Sequence, residues 1–270
     1  MNLLVYKLTL TPLAVALATA VGRRFGPAMG GWVAGIPFTS APVAVFVTLE
    51  HGVPFGTLTA IGILAGTASQ SAFAFFYSVV AVRLRWPYAI VAGAVGFAAV
   101  TVAMEQLLPP PVSALEIAVG SIALALALMP RARAAEPPAA PRVPARVDII
   151  SRAVVATAFV IVLTALSQKL GPTLAGLLSP IPIFGAVLIV FPHRQQGSAA
   201  AISACRGFLW GLFAAATFGF VLSELLPNIG LAGAMAAALA SALVVQGLTL
   251  LVLHGRQPAA PPEKGAATQG

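Results

Sequence analysis

The feature that most limits the fold is a series of apolar stretches, each roughly 20 residues long and almost free of charge. An α-helix rises about 1.5 Å per residue, so each stretch can cross a hydrocarbon core of about 30 Å. Only 8% of the residues are charged, against about 25% in soluble domains. Runs such as residues 121–129, SIALALALM, do not alternate as barrel strands do. The sequence therefore predicts an all-α polytopic membrane protein.

Charged residues and Pro or Gly positions divide the apolar sequence into nine candidate transmembrane helices. They cover residues 8–22, 28–49, 56–82, 88–108, 113–130, 151–168, 174–192, 198–223 and 229–253. Residues 131–147, rich in Arg, Pro and Ala, predict an extended linker after the fifth span. Residues 255–270 predict a disordered tail.

The basic residues indicate the orientation of these spans. Twelve would lie on one side, at Arg23, Arg24, Arg83, Arg85, Arg131, Arg133, Arg142, Arg146, Arg152, Arg194, Arg256 and Lys264. Only Lys7 and Lys169 would lie on the other, and Arg206 falls within a span. Because Lys and Arg accumulate on the cytoplasmic side, we expect the linker and the C-terminus there and the N-terminus outside. The expected location is the bacterial inner membrane.

An internal repeat appears when the sequence is compared with itself at a shift of 145 positions. Residues 24–46, RFGPAMGGWVAGIPFTSAPVAVF, then align without a gap to residues 169–191, KLGPTLAGLLSPIPIFGAVLIVF. Glycines and prolines recur in register, which apolar composition alone does not explain. Five spans precede the second copy, so it would begin on the opposite side of the membrane. We expect two inverted four-helix repeats, residues 1–110 and 148–254, joined by a connector span at 111–130 and the cytoplasmic linker.

Helix breakers occupy matching places in the two copies, at Gly35-Ile36-Pro37 and Pro180-Ile181-Pro182. Proline removes a helical hydrogen bond, and freed backbone groups are costly in lipid, so both breaks should face protein or a watery cavity. Symmetric breaks in inverted repeats point to a substrate site near the bilayer midplane. Packing kinks between closely approaching helices are the alternative, which the sequence leaves open.

Polar residues inside the spans extend this candidate site. We assign substrate binding to Gly35, Pro37, Thr39, Ser40, Thr67, Gln70, Pro180, Pro182 and Arg206. Gln70 needs a partner at mid-depth, whereas the hydroxyl groups can bond to their own helix backbone. Arg206 either meets an anionic substrate or extends to the cytoplasmic headgroups. Glu50 and His51, at the outer end of the second span, are candidates for proton coupling, or are simply solvated.

The stretch AGIPFTSAPVAVFVTLEHG, residues 34–52, resembles the signature region of the GlpM-like small membrane proteins. Those are four-span proteins, so the resemblance implies two such units, at about residues 5–108 and 150–253, fused around a connector. The second copy departs from the pattern, with Gln195-Gln196 in place of Glu50-His51. The plan is also similar to that of drug/metabolite transporters, an analogy at the level of the fold.

These observations favour a secondary transporter or permease for a small solute, anionic if Arg206 faces the cavity. A membrane scaffold or regulator, and a translocase for a lipid or polyprenyl carrier, are the alternatives. We expect no enzyme activity, catalytic residue, cofactor or metal, because no nucleophile with a base, metal-ligand set or phosphate loop is recognisable. The expected partners are the lipid bilayer and a small-molecule substrate, not nucleic acid, and the sequence is compatible with a homo-oligomer.

Overall fold

The computed structural model describes residues 3–38, 40–107, 109–131, 143–158, 161–162 and 183–255. Within these ranges every regular element is an α-helix. The helices are α1 Leu3–Phe25, α2 Pro27–Ala34, α3 Ser40–His51, α4 Val53–Ala81, α5 Trp86–Leu107, α6 Pro111–Leu128, α7 residues 145–158, α8 Ile183–Gln196 and α9 Ser198–Gly255. The all-helical class expected from the sequence is confirmed.

Four of these helices are long and apolar enough to cross a membrane, namely α4, α5, α6 and α9. Their outer surfaces carry large apolar side chains, with Leu58, Val95, Leu124 and Leu243 each 60–65% exposed. Such a surface would be unfavourable in water and suits a hydrocarbon environment. The apolar helices thus fit a membrane protein.

The second predicted span is two helices rather than one. Helix α2 ends at Ala34, α3 begins at Ser40, and residues 35–38 have no helical assignment. Short local hydrogen bonds bridge the gap, from the N–H of Phe38 to the carbonyl of Ile36 (2.7 Å) and from the N–H of Ala41 to that of Pro37 (3.0 Å). The break lies at the Gly and Pro residues that predict it, since Pro cannot donate to the helical ladder.

Helix α9 folds back on itself at Gly230, whose φ of 73° and ψ of 174° are not helical. Gly211 and Gln246 are 35 positions apart, about 52 Å on a straight helix. Both nevertheless meet the carbonyl oxygen of Trp32: Gln246 Nε2 donates to it, and a Cβ placed on Gly211 would overlap it. Helix α9 therefore consists of a first arm, residues 198–229, and a second arm, residues 231–255. They correspond to the predicted eighth and ninth spans, with the boundary at Gly230 rather than at 224–228.

Helix α4 and the first arm of α9 run antiparallel. A Cβ on Gly56, near the start of α4, would meet Leu226 of α9 at 2.9 Å. Further along α4, Leu64 lies against Gly219, which is earlier in α9. At the end of α4, Tyr77 bonds to His193, just before α9 begins. The largest buried cluster joins both helices through Phe73, Tyr77, Phe208, Leu209 and Leu212.

Several helix ends recur at a spacing of 145 residues. Helix α3 ends at His51 and α8 at Gln196; α4 begins at Val53 and α9 at Ser198. Between each pair lies a glycine, Gly52 or Gly197, with φ of 86° and 89°. Only glycine adopts such a φ at little cost, which explains why both junctions carry it.

Candidate functional site

The helix break after α2 is tightly packed. Gly35 and Pro37 are buried, and a Cβ on Gly35 would overlap the backbone of Gly211. Gln246 Nε2 donates to the carbonyl oxygen of Trp32 at 2.9 Å, and Trp32 Nε1 donates to Thr249 Oγ1 at 3.0 Å. Two side chains of the second arm of α9 thus bond to Trp32 near the end of α2, Gln246 as a donor and Thr249 as an acceptor.

Ser40, half-buried, is the first residue of α3. The other residues assigned to the two breaks, Thr39, Pro180 and Pro182, lie outside the described residues.

The polar residues of α4 connect it to its neighbours. Thr101 Oγ1 of α5 donates to Ser69 Oγ at 2.9 Å, and Ser71 Oγ lies 3.0 Å from Ser121 Oγ of α6. Thr67 Oγ1 bonds to the Leu64 carbonyl in its own helix at 2.6 Å. Gln70 is half-buried, and its side chain makes no hydrogen bond to another described residue. Most of this polar stretch therefore satisfies its hydrogen bonds within the bundle.

Arg206 lies beside the end of α6. Its Nη2 donates to the carbonyl oxygen of Pro130 at 3.3 Å, two residues after the last residue of α6. A cation is favourable next to the carbonyl end of a helix. The two roles open from the sequence, contact with an anionic substrate and extension to the headgroups, both stay predictions.

Glu50 and His51 are exposed at the end of α3, and the imidazole of His51 lies 5.5 Å from the Phe55 ring. The hydrogen bonds of the described residues do not connect Glu50 or His51 to Thr67 or Gln70. The predicted proton-coupling pair and the predicted binding residues of α4 are thus not brought together by hydrogen bonds.

A different polar cluster, absent from the predicted site, forms where the end of α1 meets α7 and α8. Its centre is Asp148, which is 1% exposed. Arg152 binds it bidentately, with Nε 2.9 Å from Oδ1 and Nη2 3.0 Å from Oδ2. Arg23 Nη1 donates to Oδ2 at 3.1 Å, and Gln195 Nε2 donates to Oδ1 at 2.7 Å. We call these four residues the Asp148 cluster.

The electrostatics of the cluster favour an ionised carboxylate. Burial raises the pKa of Asp148, but the hydrogen bonds from Arg152, Gln195 and Arg23 outweigh that effect and hold the pKa below its ordinary value. Arg152 is itself 4% exposed and lies 5.0 Å from the centre of the Phe191 ring, a cation–π distance. Two guanidinium groups against one carboxylate leave the cluster with a net charge of +1.

A small cavity of about 20 Å³ adjoins the cluster. Its wall includes Arg23 and Arg152, together with Thr19 of α1 and Pro27 and Gly30 of α2. Thr19 is 1% exposed, and its Oγ1 has no hydrogen-bond partner among the described residues. A cationic wall and an available hydroxyl group are the chemical features of a site for a small anion or polar molecule.

One feature of the sequence predicts part of this cluster. Asp148 is the only aspartate in the chain, and Arg152 follows it by four residues at the start of an apolar run. That spacing predicts an ion pair on one face of a helix. Arg23 and Gln195 could not be added from the sequence, because both are more than 40 residues away.

Comparison with protein-family models, with curated proteins and with solved structures gave no match for this chain.

Proposed function

We propose that this protein is a multi-pass secondary transporter or permease for a small solute in the bacterial inner membrane. In this proposal two inverted four-helix units, each resembling a GlpM-like small membrane protein, are joined by α6 and the linker. The solute would bind beside the helix breaks of the two units.

The observation that carries the proposal is the antiparallel packing of α4 against the first arm of α9. These two helices begin 145 residues apart, after glycines of nearly the same φ, and so occupy equivalent places in the two sequence copies. Equivalent helices that run in opposite directions are what inverted repeats require. When two inverted repeats exchange conformations, a site between them opens first to one side of the membrane and then to the other.

The break between α2 and α3 supports a central position for the solute site. It packs against Gly211 near the middle of the first arm of α9, and its carbonyl group at Trp32 is bound by the second arm. A conformational change that separates α2 from α9 would release backbone groups and the Gln246 amide toward a solute. The packed arrangement then corresponds to an occluded state.

Cysteine accessibility tests this proposal. The sole native cysteine, Cys205, is buried, so Cys205→Ala provides a suitable background. Single cysteines introduced at Phe38, Ser40 and Gln70 should react with a membrane-impermeant maleimide, with rates that change when a transported solute is added. Leu124→Cys, on the exposed apolar face of α6, is the matched control and should not react. Proteoliposome uptake of a panel of small organic anions and neutral solutes identifies the solute.

A membrane scaffold is the second candidate, favoured by the close contact between Gly35 and Gly211. Glycine contacts of this kind hold membrane helices together without a cavity. A scaffold would leave the cysteines at Phe38, Ser40 and Gln70 unreactive under all conditions, and proteoliposomes would show no uptake above protein-free vesicles. That combined result would overturn the transporter proposal.

A further inference from the structure

The cavity beside the Asp148 cluster is built of groups that recognise negative charge. Arg23 and Arg152 form part of its wall, and both guanidinium groups keep N–H donors beyond those that bind Asp148 and Val143. The side chain of Arg152 is 5% exposed and that of Arg23 is 19% exposed, so most of this positive charge is withdrawn from solvent. Electrostatic interactions are stronger in such surroundings than in water.

Among the described residues, the charges of the cluster do not cancel. Asp148 neutralises one guanidinium, and Gln195, the fourth member, is neutral. A buried excess positive charge is costly unless a negative group accompanies it. One monovalent anion would therefore complete the charge balance.

Thr19 provides independent support. It lines the same cavity, it is 1% exposed, and its hydroxyl group has no partner among the described residues. Buried hydroxyl groups nearly always make a hydrogen bond. An anion between Thr19 and the two arginines would accept that bond.

We propose that the cavity between Thr19, Arg23 and Arg152 is a binding site for one small monovalent anion, of the size of chloride or formate. Its volume of about 20 Å³ sets the size limit, because one water needs roughly 10–15 Å³ on the same measure. The inference stands on this geometry and does not require the protein to be a transporter.

The test uses the purified full-length protein in nanodiscs of phosphatidylcholine, which carries no net charge. Chloride or formate replaces gluconate at constant ionic strength while the unfolding temperature and the tryptophan fluorescence are recorded. We expect a saturable rise in unfolding temperature with chloride or formate and none with gluconate, which is too large for the cavity. Because no gradient is applied, the result is separate from any outcome of the uptake experiments.

Thr19→Val is the most specific variant. It removes the hydroxyl group, nearly keeps the shape of the side chain and leaves the Asp148 ion pairs in place. Loss of a hydrogen bond to a charged group should weaken the apparent affinity for chloride by about tenfold or more. Thr101→Val, which removes a hydroxyl bonded to Ser69 in another part of the bundle, is the matched control and should bind chloride as wild type does.

Arg23→Gln gives a second arm, because it leaves Asp148 and Arg152 as a neutral pair and should abolish the saturable response. Two results would overturn the proposal. One is an unfolding temperature of the wild type that is independent of the anion, as expected if the cavity holds only water. The other is wild-type chloride affinity in both Thr19→Val and Arg23→Gln.

Discussion

Asp148 accepts four hydrogen bonds, two from its own helix and two from helices distant in the sequence. Arg23 belongs to α1, Gln195 to α8 and Arg152 to the same helix as Asp148. A carboxylate with these partners links three segments at one end of the bundle. Removing it would leave two arginines without their shared counter-charge, one of them almost fully buried.

We therefore predict that Asp148→Asn lowers the free energy of unfolding by about 3–5 kcal/mol, the cost of breaking a buried ion pair. Thermal or chemical unfolding in detergent measures the change. Glu105→Gln, at an exposed position near the end of α5, is the control and should change stability by less than about 0.5 kcal/mol. An equal, small effect for both variants would contradict the assignment of Asp148 as a structural centre.

The lowered pKa of Asp148 predicts how stability depends on pH. A group with a depressed folded-state pKa contributes stability that is fully present above its unfolded pKa, about 3.9 for Asp. That contribution is lost as the pH falls through the folded-state value. The difference in unfolding temperature between wild type and Asp148→Asn should thus be constant near neutrality and shrink below about pH 4. A difference that grows on acidification would show the opposite linkage.

At the scale of elements, glycine determines how closely α2 approaches α9. A Cβ on Gly207 would overlap the carbonyl of Ala28, and a Cβ on Gly31 would overlap that of Ala204. These are backbone contacts, which cannot move aside as a flexible side chain can. The apposed helices therefore need hydrogen as the side chain at these positions.

We predict that Gly207→Ala lowers the free energy of unfolding by about 1–3 kcal/mol, as overpacking does in other tightly packed cores. Gly120→Ala in α6 is the matched control, because a Cβ there meets nothing within 4 Å. It should leave the unfolding temperature unchanged or raise it slightly, since Ala favours helix more than Gly does. Unfolding of both variants in the same detergent provides the comparison, and equal losses would refute close packing at Gly207.

On the scale of the whole molecule, α4 and the first arm of α9, which we propose to be equivalent helices of two repeats, run in opposite directions. Arg23, Arg152 and Gln195 gather at the end of the bundle where α1 and α8 finish, while α3 finishes at Glu50 and His51. Arg194 also belongs to the end of α8 and lies 5.3 Å from the Trp86 ring at the start of α5. Several arginines thus lie at the end of the bundle that contains Asp148, as expected if that end is the proposed cytoplasmic face.

We predict that the N-terminus faces outward and the C-terminus inward. Reporter fusions that are active on only one side of the membrane, placed at each terminus and in the linker, measure this directly. The linker and the C-terminus should report the cytoplasm, and the N-terminus the opposite side. Both termini on one side would remove the odd number of spans and, with it, the inverted arrangement.

The sequence by itself predicted the helical class, the apolar character of α4, α5, α6 and α9, and the break at Gly35 to Pro37, because hydrophobicity and backbone geometry act over short distances. It also contained the junction glycines, Gly52 and Gly197, whose matching conformations the structure reveals. The proposed roles of Gln70, Arg206, Glu50 and His51 remain predictions. Their partners depend on how the helices are arranged.

Only the tertiary structure decided which groups those local features meet. Gln246 reaches the carbonyl of Trp32 because α9 turns at Gly230, and Asp148 meets Arg23 across 125 residues of sequence. Such pairings are selected by the packing of whole helices, in which a buried polar group bonds to whichever partner the fold brings near. The pattern of apolar residues specifies that a helix is buried on one face, but it does not specify against which neighbour.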